Sequence, residues 1–208
     1  MSGASGSSAG NAQHAVKTIK AVVFDVFGTL IGQTSTRLHP YQLLGVRQHG
    51  LAASPLMTRD VAGAVWLGEL GRGHLVPEFE RRLKNDLDTL ALFDDVPEAF
   101  ARVRSAGLGL AVCSNLAQAY GAKVRETFPD VDAHILSFEV GAAKPEPAIY
   151  DAVCNALSVL PGEVLFIGDS QRCDVLGPRA HGMQSFWLDR PGGITLLDAL
   201  ASIGAPTA

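Results

Sequence analysis

The sequence predicts an α/β fold built on a doubly wound parallel sheet. Short apolar runs alternate with segments of helical periodicity, and the first run ends in a carboxylate followed by a Gly-Thr turn. With 208 residues, 47% of them hydrophobic, the chain is long enough to bury a substantial core. Alternation of this kind implies right-handed crossovers between parallel strands. The carboxyl ends of those strands then meet at one edge of the sheet, where open α/β folds bind ligands.

Five apolar runs predict the strands of this sheet, and four intervening segments predict its helices. The strands are expected within residues 19–25, 108–115, 133–138, 163–169 and 184–189. The helices are expected over residues 96–106, 116–128, 146–158 and roughly 174–181. Pro178 interrupts the last helical pattern, and because proline has no N–H to donate, we expect a local distortion there.

The interval 34–94 breaks the alternation and predicts a small all-helical cap domain. It contains no convincing strand and shows helix-compatible apolar spacing over residues 38–49, 58–70 and 77–92. The α/β core domain is then made of residues 15–33 and 95–208. An insert after the first strand overhangs the ligand-binding edge, which is the position of a lid. Residues 1–14, rich in Gly, Ser and Ala, are predicted to be a disordered tail.

Composition narrows the class of partner. The formal charge of −4, from 17 basic and 21 acidic residues, gives no support for a nucleic-acid surface. No apolar run approaches the roughly 20 residues that a membrane helix needs. The three cysteines show no CxxC spacing and are expected to be buried free thiols. We therefore expect a cytoplasmic protein, a monomer or homodimer, that acts on a small molecule.

Asp25 is the first candidate for chemistry, because it follows the apolar run Val22–Phe24 at the ligand-binding edge. Gly28 allows the backbone to turn sharply, and Thr29 offers a hydroxyl beside the carboxylate. Taken alone, this segment has an ordinary alternative, since strands often end in an Asp that caps the next element. Its functional interpretation depends on partners later in the chain.

Two further candidate sites follow at the same edge. Ser114 and Asn115 come after the second predicted strand of the core, where a hydroxyl, an amide and a helix amino end can hold an anion. Lys144 precedes Pro145 and is therefore held in extended backbone. Ser and Asn are also common helix caps, and an isolated lysine is commonly a solvated surface residue.

Asp169 and Asp174 supply the last candidates. Asp169 ends the strand VLFI, and Asp174 follows within the next turn. Together with Asp25 they would form an oxygen-rich pocket suited to Mg2+, which favours carboxylates, carbonyls and water. The alternative is that both merely cap a helix. Without a metal, three such carboxylates would repel one another.

In the order DxxGTL, SN, KP and GDSxxxD, these motifs resemble those of the haloacid dehalogenase-like hydrolase superfamily, over about Ile19 to Arg190. The insert resembles the cap of that family. The resemblance implies that Asp25 is a nucleophile that forms an aspartyl intermediate, with Lys144 as a second catalytic residue. It implies that the transferring group is bound by Thr29, Ser114, Asn115 and Lys144. It also implies a Mg2+ ion held by Asp25, the backbone carbonyl of Phe27, Asp169 and Asp174.

Phe27 departs from the pattern of the family's phosphatases, which usually carry a general-acid Asp at this position. Losing a positioned acid costs about 10²–10⁴ in rate. An aromatic residue here resembles the branch that dehalogenates 2-haloacids, in which the leaving halide needs no proton. Asp169, in its GDS motif, instead resembles the phosphatases. We favour Mg2+-dependent hydrolysis of a small phosphorylated metabolite, with 2-haloacid dehalogenation and ligand binding with weak turnover as the alternatives.

Overall fold

The computed structural model describes residues 18–33, 39–45 and 55–201. Its strands are β1 (Ala21–Phe24), β2 (Ile31–Gln33), β3 (Leu90–Leu92), β4 (Gly109–Ser114), β5 (Ala133–Leu136), β6 (Val164–Gly168) and β7 (Gln184–Trp187). Five of them form a parallel sheet in the order β5-β4-β1-β6-β7. The helices are α1 (Gly63–Glu69), α2 (Val76–Asp88), α3 (Val96–Ser105), α4 (Gly121–Thr127), α5 (Ser137–Val140), α6 (Pro147–Leu157), α7 (Gly177–Ala180) and α8 (Leu196–Ala199). The predicted fold class and the five predicted strands are confirmed.

Strand β1 lies at the centre of the sheet and is buried on both faces. Val22 and Phe24 belong to one apolar cluster, whereas Val23 belongs to a second cluster on the opposite face. This division follows from the alternation of side chains along a strand, and it requires helices on both sides of the sheet. In register, Phe24 pairs with Val112 of β4 and Ile167 of β6. The carboxyl ends of the three central strands are therefore adjacent.

The crossover from β6 to β7 is distorted, as the proline in it predicts. Residues Gln171–Leu176 form a π-helix, and only the four residues of α7 follow before the chain turns. The 3-10 turn Gln118–Tyr120 similarly precedes α4, so a single helix over 116–128 is not formed. All three cysteines are free as expected, but only Cys113 is buried, whereas Cys154 and Cys173 are half-buried.

The cap prediction needs one correction. Residues Leu90–Leu92, expected to continue a helix, form β3 and pair in antiparallel fashion with β2. The preceding helix α2 ends at Asp88. Three residues are too few to show a period of two, so apolar spacing alone did not separate this strand from the helix before it. The two strands form a short ribbon where the insert leaves and rejoins the core.

The insert between β2 and β3 is otherwise helical where it is described, with α1, α2 and the 3-10 turns Pro40–Leu44, Pro55–Met57 and Gly73–Leu75. Parts of the helix predicted over 38–49, and the predicted tail 1–14, lie outside the described residues. Tyr41, Leu67 and Phe79 of the insert share one buried cluster with Phe24 of the sheet. Across the described ranges, no helix is both long and apolar enough to span a membrane.

Candidate active site

Asp25 lies at the carboxyl end of β1 and is only 7% exposed. Its backbone N–H donates to the Ile167 carbonyl at 2.9 Å, which continues the pairing of β1 with β6. Gly28 follows with a φ of +83°, a conformation that L side chains rarely adopt. The resulting turn brings the Thr29 hydroxyl to within 3.2 Å of the Asp25 Oδ2 atom, to which it donates. The sequence DxxGT thus folds back on its own carboxylate.

Lys144 is the buried cation of the site. Its Nζ atom lies 2.7 Å from Asp25 Oδ1 and 2.7 Å from Asp174 Oδ1, and it donates to the Cys113 carbonyl at 3.0 Å. All three hydrogens of the ammonium group therefore have an acceptor. Removing both carboxylates would leave this buried charge unpaired, which is strongly destabilising, so Lys144 needs at least one of them. Lys144 is an internal bridge between two carboxylates and not the solvated lysine of the alternative interpretation.

Asn115 holds the backbone of Lys144 in place. The Lys144 N–H donates to Asn115 Oδ1 at 2.7 Å, and Asn115 Nδ2 donates to the Lys144 carbonyl at 2.8 Å. This reciprocal pair links the loop after β4 to the loop before α6. Ser114, one residue earlier, ends β4 and is 1% exposed. Its side chain is buried in the sheet edge, whereas Asn115 lines the open cavity described below.

Three carboxylates come together around this lysine. Oxygen atoms of Asp25, Asp169 and Asp174 all lie within 4.8 Å of one another. Asp174 is buried and also accepts from the Ser170 N–H at 2.9 Å, so both of its oxygens are already hydrogen-bonded. Asp169 is exposed toward the cavity. It lies so close to the turn after Asp25 that a Cβ on Gly28 would overlap its carboxylate.

The electrostatics of the cluster favour an additional cation. Burial raises the pKa of Asp25 to about 7, against the opposing effect of the Lys144 ammonium. Burial and the adjacent Asp174 carboxylate raise the pKa of Asp169. Burial by itself disfavours the charged lysine, but Asp174 and Asp25 raise the pKa of Lys144 well above its usual value. The Lys144 ammonium group pairs with Asp25 and Asp174, and Asp169 adds a third carboxylate within 4.8 Å of these two, so a divalent cation would neutralise the excess negative charge.

The donor set fits Mg2+. Asp25 and Asp169 present oxygens toward the same point, beside the backbone turn that includes Phe27 and Gly28. Each carboxylate oxygen has a second lone pair, so the hydrogen bond from Thr29 to Asp25 does not prevent coordination. Oxygen ligands with few nitrogen or sulfur donors suit magnesium, which also retains several waters. Asp174, held by Lys144 and Ser170, would then orient the site from behind.

A cavity of about 720 Å3 opens from Asp169 toward the insert. Phe27 lines it and packs edge-on against Tyr120, with ring centroids 5.7 Å apart. The other lining residues are Gly28, Ile31, Gly32, His39, Tyr41, Met57, Phe93, Asn115, Leu116, Ala117, Asp169, Arg190 and Pro191. The site is therefore an open chamber that the acidic cluster reaches through Asp169, with Asp25 and Asp174 buried behind it.

Two groups in this chamber were missed from the sequence. Tyr120 donates to Asp86 Oδ2 at 2.5 Å and lies 3.3 Å from His39 Nε2, so it links the core to the insert. Arg190 donates to the Thr29 carbonyl at 2.6 Å and to Asp95 at 2.9 Å. Arg190 follows β7, and the rule that strand carboxyl ends share one edge could have found it. Nothing in the local pattern around Asp86 or Tyr120 indicates their pairing.

A model of the haloacid dehalogenase-like hydrolases matches residues 19–182, which include every acidic and basic residue of the cluster. The chain belongs to this family. Its members hydrolyse their substrates, and the haloacid dehalogenase-like core domain corresponds to the parallel sheet described above.

Relatives within the haloacid dehalogenase-like family include both phosphatases and dehalogenases. Phosphoserine phosphatase of Thermus thermophilus is 31% identical over 105 residues, covering 48% of this chain but only 41% of that enzyme. (S)-2-haloacid dehalogenase of Pseudomonas sp. strain YL is 27% identical over 202 residues, covering 85% of each chain. The structure of a HAD phosphatase from Thermococcus onnurineus superposes with a TM-score of 0.67 at 23% identity, covering 89% of this chain and 98% of that one. The last comparison shows the shared fold.

Proposed function

We propose that this chain is a Mg2+-dependent phosphatase that acts through an aspartyl intermediate on Asp25. The observation that carries the proposal is the position of Asp169, an exposed carboxylate within 4.8 Å of Asp25 and Asp174. A carboxylate at this point is unfavourable in a site that works without a metal, because Lys144 pairs with Asp25 and Asp174 and, among the described residues, Asp169 has no ion pair of its own. Mg2+ would be held by Asp25, the Phe27 carbonyl and Asp169, with Asp174 behind them.

In the first step, which forms the aspartyl phosphate, each residue of the site has a distinct role. A carboxylate oxygen of Asp25 attacks phosphorus, and the bond from phosphorus to the ester oxygen breaks. Lys144 and the Thr29 hydroxyl neutralise and orient the transferring group, while Asn115, after β4, holds the backbone of Lys144 in place. When bound, Mg2+ supplies further charge neutralisation to the phosphoryl oxygens. Water then attacks the aspartyl phosphate, which releases inorganic phosphate and restores Asp25.

Phe27 restricts which esters can react quickly. Its ring faces the cavity where a leaving-group oxygen would depart, and it has no proton to give. An alkoxide leaving group needs a proton from a positioned acid, whereas a nitrophenolate leaves as the anion. The proposed enzyme therefore favours esters with acidic leaving groups.

Dehalogenation of 2-haloacids is the second candidate, and Phe27 is the observation that favours it. A halide leaves without a proton, and the Pseudomonas dehalogenase matches 85% of this chain. In that reaction Asp25 would attack the carbon that bears the halogen, forming an ester that water hydrolyses. Asp169 would then have no role in charge neutralisation. A family member that binds ligand with weak turnover is the third possibility and differs from both by its lack of product.

The deciding experiment measures product release from p-nitrophenyl phosphate and from 2-chloropropionate, each with and without Mg2+. Our proposal expects phosphate release that requires Mg2+ and no chloride release. Chloride release independent of Mg2+ would establish the dehalogenase instead. Mg2+ binding without either product would favour the binding protein.

Asp169→Asn is expected to weaken Mg2+ binding by about 100-fold or more, because it removes the negative charge of a direct ligand. Mutation of a residue that only orients a ligand already lowers metal affinity by about 10- to 100-fold. Isothermal titration calorimetry of the purified protein measures this directly. Asp151→Asn, which changes a side chain that is 64% exposed, is the matched control and should bind like the wild type. Equal affinity in Asp169→Asn and wild type would remove Mg2+ from this site.

A further inference from the structure

The chamber above the acidic cluster is apolar along most of its wall. Its larger apolar and aromatic lining residues include Ile31, Tyr41, Met57, Phe93, Leu116 and Tyr120, and its polar lining residues other than Tyr41 and Tyr120 are His39, Asn115, Asp169 and Arg190. A volume of about 720 Å3 is typical of sites for ligands of drug size and far exceeds what a two- or three-carbon acid would fill. The part of the substrate that leaves is therefore the part that this chamber accommodates.

Two polar side chains of the wall, those of Tyr120 and Arg190, are already bonded to other groups of the protein. The Tyr41 hydroxyl and the His39 Nδ1 atom lack a hydrogen-bond partner among the described residues, but both atoms are buried beneath the accessible surface of the chamber. The Tyr120 hydroxyl donates to Asp86 and lies 3.3 Å from His39 Nε2. The guanidinium of Arg190 donates to the Thr29 carbonyl and to Asp95, and it lies 3.9 Å from the centre of the Phe93 ring.

Within the part of the chain that the structure describes, the accessible surface of the far wall is therefore formed mainly by apolar and aromatic side chains. A hydroxyl, ammonium or carboxylate group of a substrate that lies against these apolar side chains would lose water with little hydrogen bonding in return, which is unfavourable. An aromatic ring of a substrate, in contrast, can pack against the rings of Phe27 and Tyr120. These two rings already pack edge-on against each other, with their centroids 5.7 Å apart.

We infer that the substrates are phosphate monoesters of phenols that carry an apolar substituent, with the ring against Phe27 and the substituent in the chamber. This inference rests on the proposed phosphatase activity. It joins two independent features: Phe27, which cannot protonate a leaving group, and the apolar wall, which favours an uncharged one. A phenol satisfies both, because it leaves more readily as an anion than an alkyl alcohol does and its ring is apolar. The phenolate takes the electron pair of the broken bond and is protonated by water after release.

The test compares three substrates whose leaving groups are all phenols: phenyl phosphate, 4-propylphenyl phosphate and O-phosphotyrosine, each with Mg2+. Each methylene transferred into an apolar site strengthens binding by about fourfold. We expect kcat/KM for 4-propylphenyl phosphate to exceed that for phenyl phosphate by about tenfold or more, mainly through KM. O-phosphotyrosine has a side chain of similar length that bears an ammonium and a carboxylate group. It should react no better than phenyl phosphate.

A substitution in the chamber wall tests whether the propyl substituent binds in this chamber. Met57→Gln keeps the length of a half-buried side chain in the cavity lining but makes it polar. It should reduce the preference for 4-propylphenyl over phenyl phosphate, measured as the ratio of the two kcat/KM values, by about threefold or more. Leu160→Gln, at a position that is 64% exposed and outside the chamber lining, is the control and should keep the full preference.

The outcomes distinguish the proposed substrate class from the proposed phosphatase activity on which it rests. Turnover of phenyl phosphate without a preference for the propyl compound, or with O-phosphotyrosine preferred, would overturn the substrate class and leave the phosphatase intact. A preference that survives unchanged in folded Met57→Gln would place the substituent outside this chamber and overturn the assignment. Failure to hydrolyse any of the three esters or p-nitrophenyl phosphate would overturn both. The wild-type comparison needs no variant and decides the substrate class even if Met57→Gln fails to fold.

Discussion

Asp25→Asn is expected to lower turnover by about 10⁴-fold or more, the largest loss that any single substitution in this chain should cause. Asparagine keeps the shape of the side chain and can still accept from the Thr29 hydroxyl, but its amide oxygen does not form a stable ester with a phosphoryl group. Lys144 keeps one anionic partner, Asp174, at 2.7 Å. The expected loss is therefore chemical and not a failure to fold.

Thermal unfolding distinguishes these two explanations. Burial raises the pKa of Asp25 to about 7, which means that the folded state disfavours the carboxylate. A neutral amide removes that unfavourable burial, so the melting temperature of Asp25→Asn should be no lower than that of the wild type. Asp132→Asn, at a partly exposed residue paired with Arg104, is the control for removing an Asp charge elsewhere. Turnover within tenfold of wild type in folded Asp25→Asn would exclude the aspartyl intermediate.

Much of the fold was predictable because burial leaves a pattern in the sequence. Val22 and Phe24 face one side of the sheet and Val23 the other, so β1 appears as an unbroken apolar run. Once the strands are placed, topology alone brings Asp25 and Asp169 to adjacent carboxyl ends. The cluster around Asp25 was therefore predicted as a set of neighbouring residues, without the distances between them.

The part of the fold and of the site that was not predicted depends on contacts between distant parts of the chain, which leave no local pattern in the sequence. Tyr120 and Asp86 are 34 residues apart, and Arg190 and Asp95 are 95 residues apart. Neither pair follows a helical or strand period. The strand Leu90–Leu92 is recognisable only from its partner β2, because three residues carry too little alternation. The apolar chamber was not predictable for the same reason, because residues of these long-range pairs, Tyr120 and Arg190, line it.

Phe27→Asp is expected to produce the largest gain, raising the hydrolysis of alkyl phosphates such as glycerol phosphate by up to about 10²–10⁴-fold. The side chain at this position lines the cavity between Asp169 and Tyr120, where an acid would reach the departing oxygen. Nearby carboxylates disfavour a further negative charge, which keeps the new acid protonated for the first step. Hydrolysis of p-nitrophenyl phosphate should change much less, since nitrophenolate leaves without a proton.

Phe27→Asn is the matched control, because it removes the same ring and has nearly the same shape as Asp but carries no acidic proton. The measurement is the ratio of kcat/KM for glycerol phosphate to that for p-nitrophenyl phosphate in wild type and both variants. A rise in this ratio for Asp alone assigns the missing proton to position 27, because loss of the ring and widening of the cavity are common to both variants. If both variants fold and bind Mg2+ but share the same ratio, the proton already comes from another group or phosphate esters are not the substrates. The dehalogenase and ligand-binding alternatives would then gain equally.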